Sequence, residues 1–112
     1  MARPNKQGVD YFPHFVNHGK TMFILEEKFG NNGYAFWFKL LELLGKEENH
    51  FIDCNNSATW EFLIAKTRLS GDIVSNILDL LAKLDAIEPE LWKEKIIRSD
   101  NFIKNLDSVY KR

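Results

Sequence analysis

Residues 57–98 carry a punctuation that few folds satisfy: apolar residues at helical spacing, a tight turn, a second such run, a proline break and a short extended piece. Trp60, Leu63, Ile64 and Thr67 fall on one side of a 3.6-residue helix, with Phe62 and Ala65 beside them. The run stops at Arg68-Leu69-Ser70-Gly71-Asp72, where Gly71 permits a turn and the Ser70 hydroxyl can accept from the free amides of a new helix. Asp72 then stands in that helix's first turn, where a carboxylate complements the positive end of the dipole. From Ile73 onward, Val74, Ile77, Leu78, Leu80, Leu81 and Leu84 form a broad apolar stripe, the face of a helix packed on a core. Two helices joined by so short a turn fit a helix-turn-helix, although helical hairpins that never touch DNA share that spacing.

Glu88-Pro89 stops any continuation, because proline lacks an amide hydrogen and restricts its predecessor. The stretch 91–98 follows, with an Ile96-Ile97 pair suited to a strand and Lys93, Lys95 and Arg98 around it. It reads as a β-wing, or as an ordinary two-stranded edge. Upstream, His50-Phe51-Ile52-Asp53-Cys54 reads as a short strand able to pair with it. The expected fold is mainly α with a small β-wing (α+β), a winged helix-turn-helix forming one domain over 1–112. Its parts are an arm at 1–18, the helix-turn-helix plus wing at 57–98 and a C-terminal helix at 100–112.

The first half poses a different problem. Asn31-Asn32-Gly33 caps a helix in which Tyr34, Trp37, Phe38, Leu41 and Leu44 form one stripe, while Phe36, Leu40 and Leu43 cover most of the remainder. Only Lys39 and Glu42 interrupt it, and a helix apolar almost all round must be buried on nearly every side. The core covers one face. The other meets either Tyr11, Phe12, Phe15 and Val16 of the N-terminal segment or another subunit, for which Tyr34, Phe36, Trp37, Leu40 and Leu43 would be the contact. Residues 21–29 read as a short helix closed by Gly30 as an αL cap. Asn55-Asn56-Ser57 offers caps for the next helix. Asp100 caps the last, whose apolar side is Phe102, Ile103, Leu106, Val109 and Tyr110.

Several stretches carry a family resemblance. Met1-Ala2-Arg3-Pro4-Asn5-Lys6-Gln7-Gly8 with Asp10-Tyr11-Phe12-Pro13, and Leu25-Glu26-Glu27-Lys28-Phe29-Gly30-Asn31-Asn32-Gly33-Tyr34 leading into Phe36-Trp37-Phe38-Lys39-Leu40-Leu41-Glu42, open the chain. Ile87-Glu88-Pro89-Glu90-Leu91-Trp92, Ile97-Arg98-Ser99-Asp100-Asn101-Phe102 and Val109-Tyr110-Lys111-Arg112 close it. Together they resemble the N-terminal domain of phage and prophage replisome organisers related to DnaD. The resemblance implies a winged-helix domain that helps initiate replication by binding DNA, self-associating and assisting helicase loading. In such proteins a second helical domain often follows a linker, and activities residing there are not carried over.

Charge tests that implication. Fifteen Lys and Arg against 16 Asp and Glu give a net charge of -1, whereas a strong DNA binder commonly shows a positive excess. Contact with duplex or single-stranded DNA then depends on where the cations lie: Arg3 and Lys6 on the arm, Lys66 and Arg68 at the helix-turn-helix corner, and Lys93, Lys95 and Arg98 on the wing. Lys104, Lys111 and Arg112 follow in the last helix. The outward residues of the second helix of the pair are Asp72, Ser75, Asn76, Asp79 and Lys83. Its Ser75, Asn76 and Lys83 can contact DNA, but its carboxylates repel phosphates. The alternative is a protein-interaction and oligomerisation scaffold in primosome assembly, with a helicase or helicase loader as partner and no DNA contact.

Other function classes find little support. No apolar run approaches the roughly 18 residues of a membrane span, and no charged start precedes an apolar stretch, so a cytoplasmic protein is expected. Cys54 is alone and forms no internal disulfide. Gly19-Lys20-Thr21 ends like a phosphate-binding loop, but His14 stands where its first glycine belongs. His14, His18, His50 and Cys54 lack the paired spacing of a zinc site and read as solvated or edge residues. Glu26-Glu27 and Glu47-Glu48 read as solvated faces. The sequence predicts no metal, no cofactor and no enzyme.

Overall fold

Local punctuation and apolar spacing organise the chain into α1 (Lys20–Lys46), β1 (Phe51–Asp53), α2 (Ser57–Thr67), α3 (Gly71–Lys83), α4 (Pro89–Lys93), β2 (Ile96–Arg98), α5 (Asp100–Asn105) and α6 (Asp107–Tyr110). This computed structural model describes residues 8–110, so Arg3, Lys6, Lys111 and Arg112 lie outside the described residues. The result is a mainly helical α+β fold with one small antiparallel sheet.

The two helices expected on either side of Gly30 join as one kinked element. Gly30 takes φ 63° and ψ -149°, close to a region that only glycine occupies at low cost, so it bends α1 instead of ending it with an αL cap. One turn later a Cβ on Gly33 would stand 2.8 Å from the Leu25 carbonyl oxygen. The two limbs therefore meet backbone to side-chain-free backbone.

The second limb of α1 is the core's central rod, packed against α2 and α3. Phe36, Leu40 and Leu44 are fully buried there, as are Val74, Ile77, Leu78 and Leu81 of α3. Truncating any of these leucines or isoleucines to Ala would cost about 2–5 kcal/mol. The N-terminal segment supplies the cover over the far side, but of the four residues expected only Phe12 takes part. Val9 is buried and donates its N–H to the Gly45 carbonyl at 2.8 Å. Phe12 packs edge-on against Phe102 and stacks with Phe38, while His14 stacks on Phe38 with centroids 4.0 Å apart. Tyr11, Phe15 and Val16 stay exposed.

β1 and β2 pair as Phe51↔Arg98, Ile52↔Ile97 and Asp53↔Ile96, burying Ile52 and Ile97. The extended piece begins later than expected. Pro89 occupies the first turn of α4, where its missing N–H costs nothing, and 89–93 are helical. Burial of Trp92 explains the difference: its indole N–H donates to Asp79 Oδ1 of α3 at 2.7 Å, a contact that α4 delivers. Lys95, at φ 64°, then turns the chain into β2.

At the C-terminal end Ser99, not Asp100, is the cap; its Oγ accepts the Phe102 N–H at 3.2 Å. The expected single helix breaks at Leu106 into α5 and α6, with Phe102, Leu106 and Val109 facing the core. His50 is also buried rather than solvated. Its Nδ1–H donates to the Leu44 carbonyl at 2.8 Å, and its Nε2 pairs with the Tyr110 hydroxyl, tying the end of α6 to the exit from α1. Among the described residues no helix is long and apolar enough to cross a membrane.

Candidate nucleic-acid interface

The α2–α3 corner is built from short-range chemistry. Asn56 caps α2, its side chain accepting from the Thr59 N–H at 3.1 Å. Arg68 ends α2 in the left-handed region, φ 60° and ψ 30°, with its N–H on the Ile64 carbonyl at 2.9 Å. The turn is thus made by Arg68; Gly71 is already helical, and a Cβ there would make ordinary contact with Ile64 at 3.4 Å. Ser70 caps α3 as its sequence position suggested, Oγ accepting from the Ile73 N–H at 3.3 Å.

Three cations belong to this corner. Lys66 and Arg68 are exposed at the end of α2. Lys39 reaches across from α1, and its ammonium donates to the Lys66 carbonyl at 3.2 Å. That carbonyl belongs to the negative end of α2, which a cation complements. Among the described residues none of the three forms an ion pair. Sequence reasoning missed Lys39 as a site residue; its one signal was being the sole cation in an otherwise apolar stretch of α1.

The cations around β2 are arranged differently. Lys93 lies on α4, not on a strand, and pairs with Glu90 at 3.1 Å. Arg98 is on β2 and pairs with Asp100 at 3.0 Å. Lys95 lies over the Trp92 ring, 4.6 Å from its centroid, a cation–π arrangement. These exposed pairs add little stability, but a carboxylate within 3.1 Å offsets most of what a phosphate would feel beyond one Debye length. Of the three cations expected on the wing, Lys93 is thus moved to α4, Lys93 and Arg98 each carry a carboxylate, and Lys95 forms no ion pair among the described residues.

On α3, Asn76 and Lys83 are exposed and Ser75 is half-buried. Asp72 and Asp79 are exposed as expected, and Asp79 also accepts the Trp92 indole N–H. The residues considered for a subunit contact do not form a face: Phe36, Leu40 and Leu43 are core residues, and only Tyr34 and Trp37 are half-accessible. Tyr34 lies in an aromatic group with His14, His18 and Phe38, its hydroxyl 3.3 Å from His14 Nε2.

Among the described residues no three His, Cys, Asp or Glu side chains are grouped to hold a metal ion. Burial, assisted by the Asp53 carboxylate and opposed by Lys95, pushes the Cys54 thiol up to about 11. It is therefore a poor nucleophile at neutral pH.

Fold and corner together define a small α+β domain organised around a helix–turn–helix pair, with a two-stranded sheet holding its ends. Over residues 11–102 the chain matches the family described as Lin1244/Lin1753-like, N-terminal, and it belongs to that family. No curated protein and no solved structure matches it.

Proposed function

We propose that this domain binds DNA through the α2–α3 corner, as the DNA-contacting module of a phage-type, DnaD-like replication initiation protein in the cytoplasm. One observation carries the binding: Lys39, Lys66 and Arg68 stand at one helix junction with no ion pair among the described residues, beside the start of a capped helix. Phosphates would be drawn to that junction, where the first amides of α3 add a positive dipole end. Asn76 and Ser75 lie on the following turn, with side chains able to meet base edges. Lys83 stands farther along α3, and the cations of β2 contribute less. The domain acts by binding and not by catalysis. Its place in replication rests on the resemblance of its terminal stretches to replisome organisers.

The test is a salt-titrated binding isotherm on duplex and single-stranded DNA for the wild type and for Lys66→Ala with Arg68→Ala. Loss of two phosphate contacts should reduce the salt slope by about two. An unchanged slope removes the corner from the interface.

A further inference from the structure

On another side of the molecule the exit from α1, β1 and the first turns of α2 enclose a groove of about 290 Å³. Leu43, Ile52 and Leu63 make its floor, and two aromatic rings stand open beside it: Phe51 is 39% exposed and Phe62 56% exposed. Apolar exposure gathered around one groove differs from the scattered kind that any surface carries. The rim holds Glu47, Glu48 and Asp53, and among the described residues no lysine or arginine lines it. None of the three carboxylates is ion-paired among the described residues. Asp53 accepts from the Asn55 backbone and side-chain N–H groups, both at 2.9 Å, which fixes its position without cancelling its charge. The negative end of α1 opens at the same place, and low-dielectric walls focus such a field.

We propose that this groove docks a basic segment of a partner protein, with one bulky apolar side chain set among Phe51, Phe62 and Leu63 and flanking Lys or Arg residues beside Glu47, Glu48 and Asp53. Charge complementarity decides the occupant. A nucleic acid would bring phosphates against three carboxylates with no lysine or arginine among the described lining residues, and an acidic or purely apolar peptide would leave the rim unanswered. The site shares no residue with the α2–α3 corner, so it stands or falls independently of DNA binding.

The experiment is an amide NMR titration of the whole chain with a synthetic peptide of about nine residues, Lys- and Arg-rich around a central Leu-Phe pair. Two control peptides replace Leu-Phe by Ser-Gly, or every cation by Glu. The expected result is saturable shifts confined to 47–53 and 59–63. Binding should weaken about tenfold for Phe62→Ala, a change that does not hollow the core, and about tenfold for Glu47→Gln with Glu48→Gln. The Glu peptide should not bind. Shifts that map to α3, equal binding of either control, or no saturation by about 2 mM peptide overturns the proposal. So does concentration-dependent shifting of the same amides without peptide, which would give the groove to a second copy of the chain.

Discussion

Two clusters of positive charge can be compared within this one domain. At the α2–α3 corner Lys39 of α1 joins Lys66 and Arg68 at the end of α2, with no ion pair among the described residues; around β2, Lys93 and Arg98 each carry an acid a few residues away and Lys95 rests on an indole. Counted along the chain, the second cluster is the denser. Counted in space, the first is the one in which no cation is ion-paired among the described residues. A cation's availability is set by its nearest carboxylate, and on short helices and turns that carboxylate is usually a sequence neighbour.

The comparison can be broken most decisively by paired substitutions. Lys66→Ala with Arg68→Ala should weaken duplex binding by roughly tenfold or more at low salt, while Lys93→Ala with Arg98→Ala should change it by less than about threefold. If fluorescence anisotropy ranks the two doubles the other way, the wing and not the corner meets DNA.

Arg68→Gly sharpens it further, because Arg68 pays for a left-handed backbone. Glycine there should raise the urea unfolding free energy by about 0.5–1 kcal/mol while removing one phosphate contact. A variant more stable yet weaker in binding would separate charge from fold; unaltered affinity would show that this guanidinium faces away from the ligand.

On the other side, the indole N–H of Trp92 ties α4 to the Asp79 carboxylate. Trp92→Phe should cost about 1.5–3 kcal/mol in denaturant titration, the range for a hydrogen bond to a charged group. A cost under about 0.5 kcal/mol would mean that packing alone holds α4 down.

The smallest effect concerns Lys95. Its charge favours the Cys54 thiolate against burial and Asp53, so Lys95→Met should slow iodoacetamide labelling of Cys54 by up to about threefold. Labelling should rise about tenfold per pH unit until the thiol ionises near 11. Because the folded thiol ionises above its ordinary value of 9.0, stability should be level below pH 9 and fall as the pH rises toward 11. Faster labelling in the Lys95→Met variant would show that this ammonium does not act on the thiol.

What could be read from the chain followed from range. Caps at Asn56 and Ser70, the α3 stripe and the β1–β2 partnership depend on residue type within a few positions, or on apolar alternation, and the structure has them. The bent α1 was half visible: Gly30 marked the place, but only its backbone angles separate a stop from a kink. Lys39 at the end of α2, Trp92 on Asp79 and His50 between Leu44 and Tyr110 join residues from different elements. Nothing in local spacing encodes such pairs. The expected wing failed at its first half for the same reason, since a tryptophan in an apolar-basic run looks alike whether a strand or a helix buries it.

The sheet has a kinetic consequence. β1 lies before α2, and its partner β2 arrives only after α2, α3 and α4 have been laid down. Closing so long a loop costs entropy that three facing residue pairs offset poorly. The strands should therefore join late, after collapse of the helices has brought their ends together, and mutations in β1 should act mainly on the unfolding rate.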